Sequence, residues 1–129
     1  MDGAVSIRDQ IHAAAVAYCE GIHTSDVEMF RGMLHENFLM TAIAGSGKPV
    51  FWDKAGYLER VGGRDPLAGA PDYDIISIDV AGDVMAHVKL QVRVPPRLFE
   101  DYLGFFRVDG EWKLITKLFR TAEGPELEG

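Results

Sequence analysis

From Tyr73 onward the chain alternates, and that alternation commits its second half to a sheet. Val84, Ala86, Val88, Leu90 and Val92 are separated by Met85, His87, Lys89, Gln91 and Arg93. A period of two sends the first set to a buried face and the second to the opposite one. Ile76, Ile78 and Val80 precede this run across Ala81-Gly82-Asp83. A three-residue loop opposes Val80 to Val84 and keeps both apolar sets on one face, whereas a two-residue loop opposes Ile78 to Met85 and separates them. The three-residue hairpin is therefore predicted. Pro95-Pro96 marks the next turn. Asp109-Gly110 then joins two strands, about 98 to 108 and 111 to 121, with a strong two-residue hairpin signal. That register sets Tyr102 opposite Lys117, Gly104 opposite Ile115 and Glu100 opposite Phe119.

The first half reads differently. Ile7, Ile11, Ala15, Tyr18 and Ile22 recur every three or four residues, which predicts an amphipathic helix over residues 5 to 23. Thr24-Ser25-Asp26 offers N-caps for a second helix, roughly 26 to 34, that buries Val27, Phe30 and Leu34. His35 stands at its end as a C-terminal cap. Phe38 to Ile43 is a short apolar strand closed by Gly45-Ser46-Gly47, and Lys48 to Trp52 is a brief extended piece. Asp53 caps a third helix carrying Tyr57, Leu58 and Val61, which Gly62-Gly63 breaks. The prediction is an α+β fold of three helices packed on a strongly curved antiparallel sheet. It forms a single domain over residues 1–129, with an ordered core from about 5 to 121 and an acidic tail, 122–129, that frays.

Composition narrows the function classes. The 129 residues are 47 % hydrophobic and 26 % charged, an ordinary globular balance. A net charge of −7 argues against a nucleic-acid partner, since phosphate-backbone binders concentrate lysine and arginine. No apolar run approaches the ~20 residues of a membrane span. Met1-Asp2-Gly3-Ala4 lacks the basic start of a signal peptide. Cys19 is the single cysteine, so no intrachain disulfide forms, and the cytoplasm is the expected setting.

The order of elements, together with particular words of sequence, resembles the nuclear transport factor 2-like superfamily. Those words are Tyr18-Cys19-Glu20-Gly21 followed by Ser25-Asp26, then Leu34-His35, Ile76 to Val84, Asp101-Tyr102-Leu103, and Gly110-Glu111-Trp112-Lys113-Leu114-Ile115 with Lys117 and Phe119. They are similar to the SnoaL-like branch named for lumazine binding, over about residues 5 to 121. The resemblance implies a cone-shaped, cystatin-like fold with a pocket between helices and concave sheet, in a homodimer. It does not imply one chemistry, because the fold hosts isomerases, dehydratases, cyclases and non-catalytic binders.

Ketosteroid isomerases of this fold use a general-base Asp and an oxyanion hole made of a Tyr and a protonated Asp. Matching the first-helix words puts the Tyr at Tyr18, the base at Ala42 and the second acid at Gly104, so two of the three groups are missing and that mechanism is not expected. The same comparison points Tyr102, Gly104, Phe106, Ile115, Lys117 and Phe119 into the cone, and Asp101 to the convex side. Tyr18, Trp52, Tyr57, Tyr102, Lys117 and Phe119 are the ligand-binding candidates. No catalytic set is assigned. Lys117, ringed by apolar neighbours, is read as desolvated with a lowered pKa. No metal or other cofactor is expected: His12 and His23 lie about 16 Å apart along their helix, and the lysine of Gly45-Ser46-Gly47-Lys48 is followed by Pro49, where a phosphate loop needs Ser or Thr. The expected function is small-molecule binding in an apolar pocket. The alternatives are an isomerase, cyclase or dehydratase acting on a polycyclic or polyketide-like substrate, and a structural dimerisation module. The expected homodimer pairs convex faces carrying Leu103, Phe105, Trp112, Leu114 and Leu118.

Overall fold

The computed structural model describes residues 5–128; the residues read above for a leader, 1–4, lie outside it, as does residue 129. Helix α1 (Ile7–Thr24) starts where the Ser6 hydroxyl accepts the Asp9 amide, and ends at Ser25, whose left-handed φ of 54° turns the chain. Asp26 caps α2 (Val27–Met33) by accepting the Met29 amide. The chain passes directly into β1 (Leu34–Ile43), so His35 lies in that strand, and its ring accepts the Asn37 amide. After β2 (Pro49–Asp53), Asp53 caps α3 (Lys54–Gly62) through the Gly56 amide.

Strands β3 (Tyr73–Ala81), β4 (Met85–Val94), β5 (Arg97–Val108) and β6 (Glu111–Glu123) form the meander. The sheet order is β2-β1-β6-β5-β4-β3, and β1 runs parallel to β6, so the sheet is mixed rather than wholly antiparallel. The β3–β4 loop has three residues as expected, but they are Gly82, Asp83 and Val84, and Val80 faces Ala86. The parity is unchanged, so Ala86, Val88, Leu90 and Val92 are all buried, while Val84 is exposed in the turn. At the β5–β6 hairpin Asp109 and Gly110 both adopt positive φ, 52° and 79°, the twist that a two-residue turn between strands requires.

Beyond that turn the expected register fails. Pairing runs from Val108↔Glu111 to Phe105↔Leu114 and resumes at Gly104↔Thr116, so Ile115 is an extra, bulged residue in β6. Lys117 therefore opposes Leu103, and Tyr102 opposes Leu118. Along β6 the buried positions are 114, then 117 and 119, a change of parity across the bulge. Gly104 packs against Thr116 so closely that a Cβ would collide with the threonine hydroxyl. A second extra residue in β6, Ala122, and one in β3, Ile76, add further bends. The helices fill the concave side of the curved sheet, where Ile11, Tyr18, Phe30, Phe38, Tyr57, Leu103, Phe105 and Leu114 are essentially inaccessible. The acidic tail returns to this core: Leu127 is buried and its carbonyl accepts the Gly45 amide.

Candidate functional site at the mouth of the cone

A buried polar triad lies at the centre of the cone. Tyr18 from α1 donates its hydroxyl to Asp101 Oδ2 at 2.6 Å, and Lys117 Nζ lies 3.8 Å from the same oxygen. Tyr18 and Asp101 are fully buried and Lys117 is 6 % exposed. Asp101 was expected on the convex side. It shares the inward face of β5 with Phe99, Leu103 and Phe105, which makes it an acid in an apolar row. Burial pushes its carboxyl above the ordinary range, opposed by the Lys117 charge and the Tyr18 hydrogen bond. Burial also raises the Tyr18 phenol well above its usual value, helped by the Asp101 charge.

Lys117 sits in an aromatic cage, with its Nζ 4.8 Å from the Phe119 ring centroid, 4.9 Å from Tyr57 and 5.2 Å from Tyr18. Ring faces and a carboxylate both attract the lysine's charged end. The Asp101 counter-charge is thus a feature that the sequence reading left out of the lysine's surroundings. At the cage and triad, the Tyr57 hydroxyl and Asp101 Oδ1 have no hydrogen-bond partner among the described residues. Cys19, buried beside Tyr18 in α1, has its thiol pushed up to about 12, chiefly by burial, so it is no thiolate nucleophile.

The space above the cage is small. A cavity of about 10 Å³, the size of one water, is lined by Met40, Tyr57, Phe99, Lys117 and Phe119 and extends toward Arg60 and Arg64. Adjoining it, with Arg60, Arg64, Val94 and Phe99 as shared walls, is an open pocket of about 240 Å³ completed by Pro95 and Arg97. Trp52 stands at this rim: its ring packs 5.8 Å from Phe119 and lies under the Arg60 guanidinium at 5.2 Å.

Of the six candidate side chains, Tyr18, Trp52, Tyr57, Lys117 and Phe119 are brought together around the cage and its mouth. Tyr102 is not. It is 41 % exposed on the outer face, stacked on His87 at 5.2 Å and facing Lys89, because the bulge inverts the parity that had paired it with Lys117. Asp101 and the three arginines were missed. Asp101 could have been found as the single acid in the row Phe99, Leu103, Phe105. The arginines come from three separate elements and carry no local pattern. Ala42, the position expected for an isomerase base, does face the core and offers no carboxylate; the acid that accompanies Tyr18 is Asp101 rather than a residue at Gly104.

Solved structures place this architecture among the nuclear transport factor 2-like folds. An NTF2-like protein of unknown function from Shewanella baltica is 16 % identical, with a TM-score of 0.82 over 95 % of this chain and 100 % of that one. Another from Silicibacter pomeroyi is 15 % identical, with a TM-score of 0.80 over 91 % and 99 %. A ketosteroid isomerase-like protein from Erwinia carotovora atroseptica is 13 % identical, with a TM-score of 0.69 over 88 % and 95 %. At these identities the likeness is one of fold. The sequence itself goes further: residues 6–120 match the family described as "Putative lumazine-binding", and the chain belongs to that family. No curated protein matches it.

Proposed function

We propose that this chain is a single-domain, cytoplasmic small-molecule-binding protein whose ligand enters the open end of the cone above Lys117. The observation that carries the reading is that the open pocket and the small cavity over Lys117 share Arg60, Arg64, Val94 and Phe99 as walls, which sets them side by side. The unpartnered Tyr57 hydroxyl and Asp101 Oδ1 support it, since buried polar atoms without partners are uncommon in a finished core. The family's own description names a ligand class, and a lumazine is the first probe. Titration with a lumazine, followed by NMR, should shift the methyl signals of Met40, Val92 and Val94 saturably. If neither a lumazine nor any of a panel of aromatic heterocycles moves those signals, the pocket is a packed core and the reading fails.

The protein is further proposed to work as a homodimer through its outer sheet face, although the residues of that face differ from those expected. Leu103, Phe105 and Leu114 are buried inside the cone, and Trp112 is half-buried with its indole donating to Gln10. The outer face instead carries a row in register across five strands: Phe51, Thr41, Leu118, Tyr102 and Lys89. Phe51, Leu118 and Tyr102 are 62 %, 54 % and 41 % exposed, and Ile43 and Met85 extend the patch. Contiguous apolar surface of this kind fits a second copy, with Glu100 and Arg120 supplying both charge signs at its edge. Light scattering at micromolar concentration should give twice the chain mass of 14.3 kDa. Leu118→Glu should give a folded monomer, and a monomeric parent protein would refute the pairing.

A further inference from the structure

In a chain of net charge −7, acids are plentiful, and Arg31, Arg93 and Arg120 each find a carboxylate. Arg60, Arg64 and Arg97 behave differently. They converge on the open pocket from α3, the loop after it and the start of β5, and among the described residues none of them forms an ion pair. Each is half-buried, so water satisfies them only in part. Arg64 Nε is buried with no hydrogen-bond partner. Arg60 is held by its stack on Trp52, and Arg97 by donating from Nε to the Pro125 carbonyl at 2.8 Å, and among the described residues the other guanidinium nitrogens of both have no acceptor.

We infer that this arginine trio is an anion site, and that the ligand of the cone is an organic carboxylate whose charged group rests on Arg60, Arg64 and Arg97 while its apolar body lies on Val94, Pro95 and Phe99. Three like charges gathered in a half-buried pocket repel one another. Burial and the adjacent charges of Arg64 and Arg97 hold the Arg60 guanidinium below its ordinary value. An arrangement that is unfavourable when empty becomes favourable when one anion answers all three. Guanidinium groups suit that role because their planar forks meet a carboxylate through two parallel hydrogen bonds. The adjoining small cavity is lined by Lys117, whose charge is already answered by Asp101, so the ligand's anion belongs on the arginines and its body points inward.

The inference rests on the pocket reading above and can fail separately from it. The test compares 2-naphthoate with 2-naphthamide, which share a body and differ in charge, and inorganic phosphate, which has charge but no body. The readouts are the arginine Nε–Hε resonances and the Val94 and Phe99 signals. Naphthoate should shift both groups and bind at least tenfold more tightly than naphthamide, and its affinity should fall with added salt. Arg64→Gln should weaken naphthoate about tenfold, the loss of one charge-assisted contact. The same substitution should raise the melting temperature of the empty protein, because it relieves repulsion. Equal binding of naphthoate and naphthamide overturns the anion assignment and leaves the pocket standing. Shifts of the arginines by phosphate and naphthoate alike, with Val94 and Phe99 unmoved, uphold the trio as an anion site but reject the organic body and the pocket reading. If no arginine resonance responds to either anion, the inference is wrong.

Discussion

Lys117→Met should cost about 3–5 kcal/mol of folding stability near neutral pH, because it strands the Asp101 carboxylate in the core without a counter-charge. Methionine matches lysine in length and fills the cage between Tyr18, Tyr57 and Phe119, so packing loss is a minor part of the change. The cost should depend on pH with a definite sign. Burial holds the Asp101 carboxyl above the ordinary carboxylate value in the folded chain, so its contribution is fully present below the unfolded pKa and is lost as pH rises through the folded one. Removing Lys117 deletes the chief influence that lowers this pKa, and the loss should therefore deepen and extend to higher pH. Denaturant titrations near pH 4 and near pH 7 should show a small penalty at the first and the full one at the second. Asp101→Asn in the same background should recover most of it. A penalty below about 1 kcal/mol near pH 7 would show that the two groups are not coupled as charges.

Leu103→Ala should cost about 2–5 kcal/mol, whereas Tyr102→Ala should change stability by less than about 1 kcal/mol. Leu103 is wholly buried on the concave face, and its removal leaves a cavity beside Lys117. Tyr102 is 41 % exposed and gives up only its stack on His87 and its contact with Lys89. The comparison is a direct test of the β6 bulge. An unbroken two-residue hairpin with Tyr102 opposite Lys117 places tyrosine inside and leucine outside, which reverses the two results. Thermal or urea unfolding of the two variants decides the matter.

That reversal shows what could be read in the sequence and what could not. The helices, their caps at Asp26 and Asp53, the buried face of β4 and the turn at Asp109-Gly110 are local, and each follows from spacing or turn chemistry in a few residues. The bulge at Ile115 has no such signature. It is stabilised by what it achieves globally, since it brings Phe99, Asp101, Leu103 and Phe105 onto the same side as Lys117 and Phe119. Alternation carried through unbroken also buries Lys117, but it sets Tyr102 beside the lysine and turns Asp101 away. The core of the candidate site was thus half visible: Tyr18, Tyr57, Lys117 and Phe119 by their place in apolar patterns, but not the acid that joins them. Arg60, Arg64 and Arg97 meet only once α3 and the β4–β5 turn are packed together, a proximity that no window of sequence contains.

The hydrogen bond from Tyr18 to Asp101 also bears on the order in which the chain can fold. It spans 83 residues, and the Trp112 to Gln10 bond on the same helix spans 102. Helix α1 is local and quick to form, but apart from α2 its packing partners are β3 and β4, and its buried tyrosine waits for the acid of β5. The parallel β1–β6 ladder imposes the same delay on the first strand. Loop closure over such distances has to precede the contacts that reward it, which slows folding. Until then the early helices carry an exposed apolar stripe, and a nascent chain arrested before Glu111 has neither the lysine that answers Asp101 nor the strand that joins the two halves of the sheet.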